Sequence, residues 1–238
     1  MNVHLSTLPK YSILIMLVAM TSCKNEKLDP SRSVLGYEYF PLATGQWTEY
    51  QVDSIVHLDI DDAFELDTAI RYYSYQVREV VDTPFTDAEN EQAFVILRYR
   101  RDNDSLPWSF SGLWTAKVTS VSAQRVEDNI RFVRMKFPIK SGDTWNGNAY
   151  NFFPMEEYTY EDLYVPGQWG SLYFDSTVTV LQNEFVSNIN RVYKKEIYAA
   201  GTGLVFKQLD SVKTTITPNG VIILNGTEYS QVITSYKQ

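Results

Sequence analysis

Cysteine and histidine are nearly missing from this chain: of 238 residues, one is Cys and two are His. A single thiol cannot form an internal disulfide or supply a multi-cysteine metal site. His57 is the sole histidine beyond residue 22, so a Ser-His-Asp triad has one candidate base and a site with two histidine ligands has none. Concentrated positive charge is missing too. Twenty-one Lys and Arg stand against 29 Asp and Glu, a net charge of −8, and no basic run interrupts the pattern. A polyanion binder needs such a run, so nucleic acid is not an expected partner. Gly201-Thr202-Gly203 lacks the lysine and glycine spacing of a phosphate cradle and reads as a tight hairpin. The acidic stretch His57, Asp59, Asp61, Asp62, Glu65, Asp67 lacks the glycine of a calcium loop and reads as solvated. No metal and no cofactor is implied.

What is present begins with Cys23. Lys10 precedes an apolar run, Ile13 to Met20, that is shorter than the ~20 residues of a membrane span, and Thr21-Ser22 lead into the cysteine. Charged, apolar and small residues in that order make residues 1–22 a secretory signal peptide. The ending resembles the lipobox of bacterial lipoproteins, in which the cysteine is acylated and becomes the first mature residue. Met20 stands where leucine is commoner. Cys23 is therefore the expected lipidation site, carrying palmitate-type chains that hold the protein on a membrane. Residues 23–36 are polar and read as a flexible tether, and residues 37–238 as a single β-rich domain.

Aromatic content of 14%, with 17 tyrosines, points to β-structure. Two-residue periods recur: Tyr73, Tyr75, Val77, Glu79 and Val81 share one strand face, and Ile130 to Phe137 alternates. Further strands are expected at Trp47–Ser54, Phe94–Tyr99, Trp114–Val121, Glu157–Val165, Leu172–Gln182, Leu204–Thr215 and Val221–Tyr236. Turn chemistry marks the breaks at 102–104, 146–148, Pro166-Gly167, 201–203 and Asn219-Gly220. Asn188 to Ala200 fits helical and strand periods alike, and its β-rich flanks favour a strand. The expected fold is all-β: an antiparallel curved sheet, lipocalin-like or half-barrel, with a two-sheet sandwich as the alternative.

Phe40-Pro41-Leu42 through Gly45 to Trp47 is echoed by Phe137-Pro138-Ile139 through Gly142 to Trp145, which reads as one turn device used twice, with two similar β-halves as the alternative. With the lipobox, the stretch Phe40 to Val52, this echo, and Glu196 to Val205, the chain resembles β-rich lipoproteins of the Bacteroidota. That resemblance implies an outer-membrane, lipid-anchored envelope protein without known activity, facing the cell surface or the periplasm. Lys24, Glu26, Lys27 and Asp29 resemble a surface-export signal. Envelope proteins of that phylum are O-glycosylated at Asp-Ser/Thr followed by a small or aliphatic residue, which makes Ser54, Thr68, Ser105, Ser176 and Ser211 candidate sites, with turn and strand-end chemistry as the alternative.

No catalytic residue is assigned, and the expectation is a non-catalytic binding or assembly module for a glycan, lipid or protein partner. Trp108, Trp114, Trp169 and Tyr173 sit beside Pro or Gly and are the candidate ligand-binding aromatics, with core packing as their alternative. A competing reading is a glycoside hydrolase drawing a carboxylate pair from Glu156, Glu157, Glu161 and Asp162. A third is a purely structural envelope protein.

Overall fold

The computed structural model describes residues 35–58, 70–218 and 220–238. The signal peptide, Cys23, most of the tether, Asp59 to Asp67, Thr68 and Asn219 lie outside the described residues. After one 3₁₀ turn, Tyr37–Tyr39, come twelve strands: β1 Trp47–His57, β2 Ile70–Thr86, β3 Gln92–Arg101, β4 Ser109–Val118, β5 Ser122–Glu127, β6 Ile130–Lys136, β7 Thr144–Asn146, β8 Glu157–Trp169, β9 Leu172–Val186, β10 Asn190–Ala199, β11 Gly203–Thr217 and β12 Gly220–Lys237. The described residues include no helix long and apolar enough to cross a membrane.

All twelve strands form one antiparallel sheet. Sequence neighbours pair throughout, except that β1 pairs with β12 and β6 and β7 fall at the two ends of the order. Those ends meet. Val133 N–H donates to Gly147 O at 2.9 Å, Trp145 Nε1 donates to Val133 O at 3.0 Å, and the Tyr160 hydroxyl bridges the Lys136 backbone. The result is a nearly closed up-and-down barrel, in which few backbone groups are left for edge pairing. The curved-sheet expectation holds and the sandwich does not. Asn190–Ala199 is a strand, as its flanks suggested.

One expected break is wrong. Pro166-Gly167 lies inside β8, whose pairing with β9 shifts register between Glu161 and Val165 and again between Val165 and Gly167. Asp162 and Tyr164 there have positive φ. A bulged strand frees the proline from donating to the ladder, so the chain continues and turns instead at Gly170-Ser171.

The barrel is filled unevenly. At the end where β1 begins, the 3₁₀ turn folds underneath as a plug: Tyr39, Phe40, Phe137 and Ile139 are buried there, Tyr39 shares a hydrogen bond with Ser176 Oγ at 2.6 Å, and Tyr37 stands edge-on to Phe137. Both members of the Phe-Pro echo thus serve this floor. Their tryptophans part company: Trp145 packs inward on Tyr158 and Tyr160, whereas Trp47 lies beneath the Arg78 guanidinium. Above the floor, Tyr50, Ile96, Met135, Val178 and Val180 complete an apolar core. Beyond that layer the inward-facing positions turn polar.

Candidate functional site

Inward positions on six strands carry charge. Glu79 (β2) accepts from Arg98 Nε (β3) at 3.0 Å and from Arg125 (β5). Arg125 Nε also lies 3.7 Å from Glu127 (β5), which accepts from Arg134 Nη2 (β6) at 2.6 Å. Glu196 (β10) is 3.5 Å from Arg134 Nη1 and 3.1 Å from Lys207 Nζ (β11), and accepts from the Tyr198 hydroxyl at 2.6 Å. Lys207 lies 3.9 Å from Glu127. The pairs form a belt across the lumen, joining strands on both sides of the β6/β7 seam.

The belt fixes protonation. Burial opposes ionisation of Glu79, Glu127 and Glu196, but Arg125 and Arg98 outweigh it at the first, Arg134 and Lys207 at the other two, and all three carboxyls are held below the usual range. Burial likewise opposes the charge on Arg125 and Arg134, whose carboxylate partners keep them firmly protonated. A glycosidase acid must carry a raised pKa. None of the belt carboxylates does.

On the side of the belt away from the plug lie two adjoining chambers that share Glu127, Lys207 and Leu209. The smaller, about 250 Å³, runs between Trp114, Arg98 and Tyr229; the larger, about 530 Å³, runs between Arg134, Gln182, Lys194, Tyr158 and Phe153. At the larger mouth, the residues between β7 and β8 present Tyr150, Phe152 (80% exposed), Phe153 and Met155 to solvent. Lys194 Nζ meets Glu156 Oε1 there at 2.7 Å.

The four candidate aromatics do not converge. Trp114 alone lines a chamber, its face under the Arg98 guanidinium at 3.6 Å and its Nε1 donating to Asp128 at 3.1 Å. Trp108 is half-buried between Arg78 and Arg101; Trp169 packs against Phe174 in the core; Tyr173 is exposed. The carboxylate group disperses as well: Glu156 is paired to Lys194, and Glu157, Glu161 and Asp162 are exposed. Among the serines, Ser105 is exposed in the β3–β4 turn and Ser211 is exposed on β11. Ser54 shares the inward face of β1 with Val52 and is half-buried, and the Ser176 hydroxyl is engaged by Tyr39. His57 hydrogen-bonds to Glu228 at 2.9 Å, which also meets Arg191.

Among the described residues, one carboxylate cluster has metal-like spacing, Asp87, Glu89 and Glu91 at the β2–β3 turn. Lys117 Nζ already fills it, 2.7 Å from Asp87 and 2.6 Å from Glu91 and also paired with Glu89. Hydrogen bonds from Lys117 and nearby backbone hold Asp87 down to about 2. The cluster is an ion-pair clasp that pins the β2–β3 turn onto β4.

The belt was not anticipated from sequence. Its signal was parity: Glu79 shares a strand face with Val77 and Val81, and a carboxylate on a face otherwise bound for the interior must find a buried cation.

No protein-family model and no curated protein matches this chain. Two solved structures align with it. One is a Bacteroides fragilis protein described as exported and YmcC-like in fold, at 15% identity and TM-score 0.37, covering 84% of this chain and 98% of that one. The other is described as a lipoprotein of Parabacteroides distasonis, at 12% identity and TM-score 0.36, with coverage of 84% and 98%. Likenesses this distant carry neither activity nor ligand to this chain.

Proposed function

We propose that this chain is a lipid-anchored protein of the outer membrane that receives a small hydrophilic ligand in its barrel and does no chemistry on it. The observation that carries the reading is the asymmetry of the lumen: apolar and plugged at one end, charged and roomy at the other. A chamber of about 530 Å³ falls within the roughly 300–1,000 Å³ of small-molecule sites. Its ionised lining disfavours an acyl chain, since charge stripped of water and left against hydrocarbon is costly. Belt carboxylates pinned in the ionised form argue against acid catalysis.

The anchor reading rests on Cys23 and its flanks. Intact mass of protein extracted from native membranes should show a form beginning at Cys23 with acyl chains, and proteolytic shaving of whole cells distinguishes surface from periplasmic exposure. A soluble form without acyl mass overturns the anchor. The binding reading has its own test. Native mass spectrometry of gently released protein should reveal a small molecule that is lost on denaturation, and repeated preparations without one would count against it.

A further inference from the structure

At the mouth, β2 runs past β3. Its ladder with β3 starts only where Gln76 meets Arg101, while Ile70 to Tyr75 stay paired with His57 to Val52 of β1. Together with β12 and β11, which continue to Gly220 and Thr217 beyond the end of β10, these strands stand above the rest of the rim. Among the described residues, no strand pairs with the outer edge of Ile70-Arg71-Tyr72-Tyr73-Ser74-Tyr75, where every second residue turns its N–H and C=O away from β1. β8 shows how this chain blunts a free edge: past the reach of β7 it carries Asp162, Pro166 and two register shifts. The β2 edge has no proline, an unbroken register with β1 and one charge, Arg71. Tyr72 is 74% exposed, and Ile70 and Tyr73 are exposed beside it.

We infer that this edge pairs with the same edge of a second copy of the chain, antiparallel, across a two-fold axis at Tyr72. Unpaired ladder groups take an extended strand, and this segment complements itself. Directly opposed residues of a sheet share a face, so a two-fold sets even-numbered residues only against even and odd only against odd. Centred on Tyr72, it places Tyr72 against its counterpart, Arg71 against the ring of the second copy's Tyr73, and Ile70 against Ser74, and no like charges meet. Such an axis is normal to the sheet and inverts the second barrel, so mouth faces mouth and the plugs lie at the far ends. Residue 35 enters at the plug. Under the proposed anchor, the pair therefore joins two facing membranes rather than neighbours in one. A strand pair this short buries less than the roughly 1,000 Å² of a lasting interface, so each contact is weak and gains strength from many copies on each surface.

Sedimentation equilibrium of the mature chain carrying Cys23→Ser tests the pairing without the anchor. It should show a monomer–dimer equilibrium with Kd on the order of 100 µM, weakened at least about tenfold by Tyr72→Lys, which sets two ammonium groups together on the axis. The melting temperature of that variant should match the parent, because the side chain is exposed. The register has its own readout. In the Cys23→Ser background, Tyr72→Cys should form an intermolecular disulfide, since facing Cα atoms lie about 4.5–5.5 Å apart. Ser74→Cys should not, because its two copies stand about 13 Å apart along the strands. Vesicles bearing the acylated protein should cluster, and those bearing its Tyr72→Lys variant should stay dispersed. A chain still monomeric at about 1 mM, dimers indifferent to Tyr72→Lys, or cross-linking as ready at 74 as at 72 overturns the pairing. Dimers in solution with no clustering of vesicles overturn the facing-membrane arrangement.

Discussion

Glu196, 2% exposed, shows what a single buried carboxylate does here. It answers two cations and one phenol, so Glu196→Gln keeps an acceptor for Tyr198 but leaves Arg134 and Lys207 short of a charge. Breaking a buried pair from one side costs about 3–5 kcal/mol, and urea unfolding at pH 7 should show a loss near the lower figure. The acid response follows from direction. A carboxyl whose folded pKa lies below its unfolded value, near 4.5, contributes stability above that pH and loses it as pH falls through the folded value. The wild-type melting temperature should therefore hold steady from pH 7 to about 5 and drop below it, and the fall should be shallower in Glu196→Gln. At this scale the sequence was partly readable. Glu79 could be placed on an inward face, but its partner Arg125 lies 46 residues away and only the barrel's curvature brings them together.

Glycine at 226 governs one element. Its φ of +127° is open chiefly to glycine, and an added Cβ would collide with the Ser211 carbonyl and Val212 Cα of the paired strand. Gly226→Ala should cost about 2–3 kcal/mol, measured by chemical denaturation, and hydrogen exchange should quicken first along β11 and β12. Strands and hairpins were the most legible part of the chain, because alternation and turn residues are local signals. The misreading at Pro166-Gly167 shows the limit: whether a proline ends a strand or rides a bulge depends on its partner's register, which here is set by β9.

At the scale of the whole molecule, the sequence pointed to a curved sheet, lipocalin-like or half-barrel, but not to the strands that close it. Ten of its neighbouring pairs join consecutive strands, but closure needs β1 beside β12, nearly the whole chain apart, and a seam at β6/β7 held largely by Trp145 and Tyr160 side chains. The plug fixes the polarity of the whole. Residue 35 emerges at the closed end, where Ile139 N–H donates to Leu35 O at 3.2 Å, and twelve residues of chain reach at most about 40 Å to Cys23. Under the proposed anchor at Cys23, the chambers should open away from the lipid. Under the proposed anchor, in which an acylated Cys23 offers no thiol, single cysteines at exposed Ser105, on the mouth side, and Lys140, on the plug side, can carry dyes. In vesicles with acceptor-labelled lipid, energy transfer should be stronger from position 140; the reverse result would invert the orientation.

The β1/β12 pairing also brings the other end of the chain to the plug. Trp47 sits opposite Lys237, and Gly201 lies against both Glu38, which accepts its N–H at 2.8 Å, and the Gln238 side chain. Under the proposed anchor, a reporter fused after Gln238 should lie on the lipid-facing side, near where residue 35 enters the plug. A reporter inserted in the β3–β4 turn near Ser105 would instead be carried outward at the rim, making that turn, rather than the chain end, the place to graft cargo for display.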